Sequence, residues 1–495
     1  MASPQDLSER RSRLTPAQRE LLEKRLRSAG QAPPEDDAAA AIAPRPGRGP
    51  APLSYAQARL WGFAERHPAS PAYNVYHGVG LRGPLDVAAL AAGVRAVVER
   101  HEVFRTRFVR SPEGIMAVAE PDLVPAALPL IDLSGLPAAP AREAEGLRTV
   151  LELAAPCFDL ENGPPLRRAL LRLGGAEHVL IVAVHHIVID GWTLALFVRE
   201  LAGAYEALSA GHAPSPAAPP LQYADFAGWQ RRRAEEGTLA ADLAWWKRHL
   251  AGAPREGLAW PPRPRGPAGR SMLMLGAGVS DALRALAQRE RVTPFIILLA
   301  GLKAVLYRQT GQEDLIVGTP VALRDRPEAA GIAGMLLNLL ALRTGLSGDP
   351  SFLDLLHRVR DTCLGAFAHR EAPLEWLAGK LLPDGGTGAT PWIRVLFNMP
   401  SGEAGHSDPL KAGGLEVQPL LTGEMGAEFD LTFYARELAA GIRLDLGFNA
   451  GLLAPGESGR LLEGFAALLA EVAAHPERRL SEIDGVLLAP AGLEA

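Results

Sequence analysis

Two histidines and a carboxylate fall within one short run, His185-His186-Ile187-Val188-Ile189-Asp190-Gly191. The run follows the apolar stretch Val179-Leu180-Ile181-Val182-Ala183-Val184, which predicts a buried strand over His178–Val184. Imidazole is the side chain whose ordinary pKa lies nearest neutrality, so it can take a proton from an attacking nucleophile at neutral pH. Strand alternation sends neighbouring side chains to opposite faces, so the two rings cannot serve one cavity. His186 is assigned the chemistry, and His185 the support of the loop. Asp190 has two roles open to it. It can cap the helix that Trp192, Leu194, Phe197, Val198, Leu201 and Tyr205 outline at helical spacing, or it can pin the loop so that one imidazole keeps a fixed tautomer. Gly191 lets the backbone turn, and its N–H at the start of that helix is a candidate donor to a developing oxyanion.

The elements that must hold these groups follow from the pattern on either side. Arg168–Leu173 and His178–Val184 flank Gly174-Gly175 and read as a hairpin whose second strand delivers the histidines. Asp86 caps a helix carrying Leu90, Val94, Val97 and Val98. In the second half, 280–309 is largely helical with a break near Val292-Thr293-Pro294, 314–322 and 338–343 are strands, and 429–448 is a hairpin turning near Ala439-Ala440-Gly441. A closing helix is expected from about Pro455 to Ala474. Helices and strands alternate with several antiparallel signals and no Gly-rich phosphate loop, so the class is α/β or α+β rather than a nucleotide-binding doubly wound sheet. At the amino terminus, Thr15-Pro16-Ala17-Gln18 starts a helix reaching about Arg27, and Gly30–Pro52 has the Pro, Ala and Gly content of a linker.

Composition narrows the function classes. With 495 residues the chain exceeds what one core usually supports, and 48% hydrophobic with 22% charged residues is ordinary for a globular protein. A net charge of −5 offers no field for nucleic acid or anionic lipid. The dense basic run Arg231-Arg232-Arg233 precedes Glu235-Glu236 and reads as a solvated helix face. Cys157 and Cys363 are far apart and lack metal-ligand spacing, so neither a disulfide framework nor a metal site is expected, and Cys157 reads as a small apolar filler. No apolar stretch is long enough to span a bilayer and the amino terminus lacks a signal pattern, so a cytoplasmic location is expected.

The run from His185 resembles the HHxxxDG active-site motif of condensation domains of nonribosomal peptide synthetases, within the chloramphenicol-acetyltransferase-like acyltransferase superfamily. The resemblance extends from about Leu53 to about Leu487 and is met in order by separate segments. Leu53-Ser54-Tyr55-Ala56-Gln57-Ala58-Arg59-Leu60-Trp61 looks like the opening motif, and Arg100-His101-Glu102-Val103-Phe104-Arg105-Thr106-Arg107-Phe108 like the second. Tyr223-Ala224-Asp225-Phe226-Ala227-Gly228-Trp229 is similar to the fourth. Gly331 to Asn338, after Thr319 to Glu328, resembles the fifth, with Met335-Leu336-Leu337 in place of an aromatic-containing run. The segments His369–Leu377 and Arg394–Asn398 resemble the last two.

The resemblance implies two acyltransferase-like lobes in a V-shaped pseudo-dimer, one active site at their junction, and the divisions 1–48, 49–222 and 223–488. It implies that Arg324 pairs with Asp190, that Arg59 reaches toward the site, that Asn338 lies on a segment crossing between lobes, and that Trp192 belongs with the substrate channel. The implied reaction joins a donor acyl or peptidyl thioester to an acceptor aminoacyl thioester through an amide bond. Donor and acceptor peptidyl carrier proteins and neighbouring synthetase domains would be its partners. Phosphopantetheine would arrive on those carriers, with no cofactor bound by this chain, and a monomer is expected. A starter-type or free-standing enzyme using an acyl-CoA donor or forming esters, and a non-catalytic platform that recruits other enzymes, remain open. So does the choice between base and positioning group for His186. Epimerising members are set aside for want of their signatures, and heterocyclising members because aspartates would replace the histidines.

Overall fold

The computed structural model describes residues 41–124, 127–136, 139–214, 219–255, 257–258, 268–382, 392–400, 409–426, 428–453 and 456–483. By its internal contacts the chain separates into Met1–Ala43 and Pro44–Ala495, and the architecture below belongs to the second of these. The helix expected over Thr15–Arg27 lies outside the described residues. The linker expected to reach Pro52 stops sooner, because Ala51–Pro52 (β1) is a strand that pairs with a later one.

After β1 come α1 (Tyr55–Arg66), β2 (Asn74–Arg82), α2 (Val87–Arg100), β3 (Thr106–Ser111), β4 (Gly114–Ala119), β5 (Leu130–Asp132), α3 (Ala139–Ala154), β6 (Leu166–Arg172), β7 (Glu177–His185) and α4 (Gly191–Ser209). Helix starts are set by short polar caps. Ser54 and Gln57 form a capping box at α1, and the Asp86 carboxylate accepts the Ala88 and Ala89 N–H groups at α2. β6 and β7 form the expected hairpin, Arg172 opposite His178, and β2 lies on the other side of β7 with Asn74 opposite His185. β7 is buried along nearly its whole length, which is why its sequence is continuously apolar rather than alternating.

The second half contributes α5 (Tyr223–Glu235), α6 (Ala240–His249), β8 (Ala268–Met274), α7 (Ala277–Glu290), α8 (Pro294–Thr310), β9 (Asp314–Ala322), β10 (Leu337–Gly345), α9 (Phe352–Ala368), α10 (Leu374–Leu381), β11 (Val395–Asn398), β12 (Leu410–Ala412), β13 (Leu415–Glu424), β14 (Leu431–Leu438), β15 (Gly441–Asn449) and α11 (Glu457–Ala474). The break between α7 and α8 falls where expected. Arg291 is left-handed at φ 56° and Thr293 caps the next helix ahead of Pro294. β10, β9, β11, β14, β15 and β8 form one mixed sheet in that order, covered by α8, α9 and α11 through a large apolar core.

One connection departs from a division of the chain into consecutive lobes. β12 and β13 leave the second half and join the first-half sheet, in the order β12-β13-β2-β7-β6-β5, with Glu424 opposite Val75. The chain then returns at once to β14 of the other sheet. A second crossing, residues 323–336 between β9 and β10, reaches back to the start of α4.

Two local expectations are corrected. The run at 231–233 is not a solvated face: Arg231 donates to the Leu53 carbonyl at 2.8 Å and stacks on Tyr55, and Arg233 pairs with Glu371 while lying over Trp229. Only Arg232 of the three is exposed, because α5 is packed between the halves rather than lying outside them. Cys157 is half-buried beside a cavity and is not a core filler, whereas Cys363 is fully buried. Among the described residues no helix is long and apolar enough to cross a membrane.

Candidate active site

β7 ends at His185 and the chain turns directly into a single 3-10 turn, His186–Val188. His185 goes into the protein. Its Nδ1 accepts the Ile187 N–H at 3.2 Å, and its ring lies 6.1 Å from Tyr73 and 6.2 Å from Phe158 between centroids. Burial, with His186 beside it, pushes its pKa down to about 3. A neutral buried ring that accepts a backbone N–H within its own loop is a support, as alternation required. His186 instead lines a cavity between the lobes, of about 110 Å³. Its backbone N–H donates to the Tyr73 carbonyl at 2.8 Å, and Gln57 Nε2 holds the Ile187 carbonyl at 3.2 Å. Its Nδ1 is buried without a hydrogen-bond partner among the described residues, so no protein group there holds its tautomer, contrary to expectation.

Asp190 caps the helix and also pins the loop, although it does not fix the tautomer of His186. Oδ1 accepts the Thr193 N–H at 2.7 Å and so caps α4, while Arg324 Nη2 reaches Oδ1 at 3.2 Å and Oδ2 at 3.0 Å. The Leu336 N–H adds a further bond to Oδ2 at 3.1 Å. Arg324 Nη1 donates to the Ala329 and Ile332 carbonyls at 3.0 and 2.7 Å, and Nη2 also reaches Thr193 Oγ1 and the Gly334 carbonyl. Both side chains are excluded from solvent, at 3% and 1% exposure, and the pair is sustained by the bonds to both carboxylate oxygens and to Nη1 and Nη2 of the guanidinium, while Nε has no hydrogen-bond partner among the described residues. The crossing segment is thereby tied to the start of α4. Gly334 has φ 143°, and an added Cβ would collide with the Tyr223 ring. That ring's hydroxyl donates to the Met335 carbonyl at 2.9 Å and bonds Ser54 Oγ at 2.8 Å.

Arg59 and Asn338 line the cavity with His186, and Arg324, Trp192 and Gly191 do not. Arg59 Nε donates to Glu375 at 2.8 Å, and its Nη1 pairs with Glu428 and donates to Tyr73 Oη at 2.9 Å. Asn338 spends its amide on the Arg370 and Ala372 carbonyls at 2.8 and 2.7 Å, and its Oδ1 accepts the Leu374 and Leu339 N–H groups, so it fixes the loop before α10. Trp192, expected with the substrate channel, is not among the residues lining this cavity and packs on the crossing segment, where Nε1 donates to the Ala330 carbonyl at 3.1 Å and Arg324 lies over its ring. Gly191, given as a candidate oxyanion donor from sequence, is exposed at the first position of α4 and is not among the residues that line this cavity.

Four ionisable lining residues lie outside the motif segments singled out from sequence: Tyr73, Glu424, Glu428 and Tyr434. Glu375 sat inside a recognised segment without a role. Glu424 accepts the Tyr434 hydroxyl at 2.9 Å. Enclosure by protein, with Glu428 nearby, raises the Glu424 pKa, against the opposing pull of His186 and the Tyr434 bond. No local spacing marks these groups, because each partner lies on another element. His77, on β2 behind the site, bonds Thr422 Oγ1 at 3.1 Å and is driven to a pKa of about 3 by burial and by His186. Among the described residues no group of His, Cys, Asp and Glu could hold a metal ion.

Comparison with known proteins agrees with this geometry. The condensation-domain family model matches residues 48–489. The chain is 38% identical over 454 residues to a linear gramicidin synthase of Brevibacillus parabrevis, covering 89% of this chain and 6% of that protein. It is 36% identical over 488 residues to phosphinothricin tripeptide synthetase PhsC of Streptomyces viridochromogenes, covering 97% and 44%. The chain therefore spans less than half of either relative. Among solved structures, the X-domain in complex with OxyB from teicoplanin biosynthesis has a TM-score of 0.79 at 29% identity, over 90% of this chain and 98% of that one. The first condensation domain of the calcium-dependent antibiotic synthetase, in complex with a substrate analogue, has a TM-score of 0.73 at 26% identity, over 88% and 98%. These likenesses bear out the two chloramphenicol-acetyltransferase-like lobes expected from the sequence. A histidine delivered by a buried strand into an inter-lobe cavity, within a match spanning nearly the whole chain, places this protein in the condensation-domain family of nonribosomal peptide synthetases.

Proposed function

We propose that the chain forms an amide bond between a donor acyl or peptidyl thioester and an acceptor aminoacyl thioester, each carried by phosphopantetheine on a peptidyl carrier protein. The observation that carries this reading is His186 in a cavity walled by both lobes, on a loop held by His185, Gln57 and the Asp190–Arg324 pair. A thioester is already activated, and an α-amine with an ordinary pKa of about 7.7–8.0 is partly neutral near pH 7. Strong base catalysis is therefore unnecessary. Holding two tethered reactants at attack distance can supply an effective molarity of roughly 10⁵ M or more, against about 10²–10⁴-fold for a positioned base. Positioning is the larger contribution. His186 removes the ammonium proton that develops on attack or hydrogen-bonds the amine into line. The chain needs no bound cofactor for this chemistry, since the phosphopantetheine arms come with the carriers.

A second reading, a platform that recruits another enzyme, draws on the likeness to the X-domain solved with OxyB. The open cavity beside His186 favours catalysis over it. Intact-mass analysis of loaded donor and acceptor carriers mixed with this chain decides. Transfer of the donor mass to the acceptor carrier supports amide formation. Both thioesters unchanged in mass and configuration would leave the platform, and inverted stereochemistry at unchanged mass would indicate epimerisation.

A further inference from the structure

We propose that Glu424 receives the acceptor's amino nitrogen and so makes the site selective for an amine over a hydroxyl nucleophile; this rests on the amide-forming reading above and names the group that recognises its acceptor. Glu424 is the last residue of β13, in the first-lobe sheet, and its Oε1 accepts the hydroxyl of Tyr434, which stands on β14 of the second-lobe sheet. Its position is thus set from both lobes, at the seam where His186 also lies, and the two share one cavity wall.

Charge makes the assignment specific. Glu375 and Glu428, which line the same cavity, are both paired with Arg59. Glu424 forms no ion pair among the described residues, and its hydrogen bond there is the one from Tyr434. It stands on the cavity wall and not in the apolar core. Three carboxylates against the single Arg59 guanidinium leave the cavity wall acidic. An unpaired carboxylate in an enclosed, wet cavity is a receptor for a cation with N–H donors, and an α-ammonium supplies both. A hydroxyl supplies one weak donor and no charge. Once the ammonium has passed one proton to solvent, one N–H of the neutral amine stays on Glu424 while the other faces His186, which leaves the lone pair free to attack the thioester carbonyl.

The test uses the full chain and two stable probes, the amide analogue of alanyl-pantetheine and its lactyl counterpart, with affinities from isothermal titration calorimetry. A charge-assisted hydrogen bond predicts that the wild type binds the alanyl probe roughly 10–100-fold more tightly than the lactyl probe. Glu424→Gln should abolish that preference while leaving lactyl affinity within threefold, and Glu424→Asp, which keeps the charge, should retain part of it. A wild type without preference, a preference that survives Glu424→Gln, equal behaviour of the Gln and Asp variants, or loss of both probes together would each overturn the inference. Amide formation that persists with no amine preference sinks this inference alone. An amine preference without amide product sinks the proposed reaction and leaves the amine site standing.

Discussion

His185 and His186 are adjacent in the chain and opposite in chemistry, because one is buried with its Nδ1 spent on the backbone of its own loop and the other borders the inter-lobe cavity. His186→Ala should lower carrier-dependent amide formation by about 10²–10⁴-fold with an unchanged unfolding midpoint, measured by intact mass and urea titration. Near-normal turnover would remove the proton-transfer role and leave positioning by other groups. His185 and His77 predict a different readout. Both are held near a pKa of about 3, below the ordinary 6.5, so the unfolded chain binds more protons than the folded one between those values. Their contribution is fully present above about pH 6.5 and declines as pH falls toward 3, by up to about 1.4 kcal/mol per pH unit for each ring. Urea unfolding at pH 6.5 and pH 5 should therefore show a smaller loss in His77→Asn than in the wild type. An identical loss would show that this ring does not resist protonation.

At the scale of elements, the start of α4 and the crossing between β9 and β10 are one unit. Asp190 is simultaneously the helix cap and the anion for Arg324, and each partner is buried. Removing either one leaves an uncompensated buried charge, so Asp190→Ala and Arg324→Ala should each destabilise the protein by about 3–5 kcal/mol. The double variant should cost clearly less than the sum, since neither orphaned charge remains. Additive losses in the cycle would mean that the two do not interact. This pairing was legible from the motif resemblance. The placement of Trp192 and Gly191 away from the cavity lining was not, because which side of a helix start meets a cavity depends on where the crossing segment lies, and that is set by residues 323–336.

Across the whole molecule, β13 makes the two lobes interdependent. Its pairing with β2 completes the first-half sheet with a strand from the second half, and the Tyr434–Glu424 bond ties that strand back to the second sheet. Calorimetry of residues 44–495 should therefore show one transition with equal calorimetric and van't Hoff enthalpies, although the length would suit two separate domains. Two resolved transitions would contradict the shared strand as a stabilising link. The same sharing explains the cavity: its wall takes His186 and Arg59 from one lobe and Asn338 and Tyr434 from the other, with Glu424 on the exchanged strand.

The amino-acid order alone determined what depends on neighbours in sequence. The β6–β7 hairpin, the caps at Asp86 and Asp190, the break before Pro294, the β14–β15 hairpin and the His185–Gly191 run all answer to local period, capping chemistry or a contiguous motif. Tertiary structure alone decided the rest. The engagement of Arg231 and Arg233 by Leu53 and Glu371, the exchange of β13 and the gathering of Glu375, Glu424 and Glu428 in one cavity with Arg59 and His186 join residues far apart in the chain. Such groupings leave no periodic trace, because a carboxylate at the end of an edge-bound strand reads the same whether it meets water or a reacting amine. Only the path of the backbone between the two sheets places Glu424 in the cavity with His186.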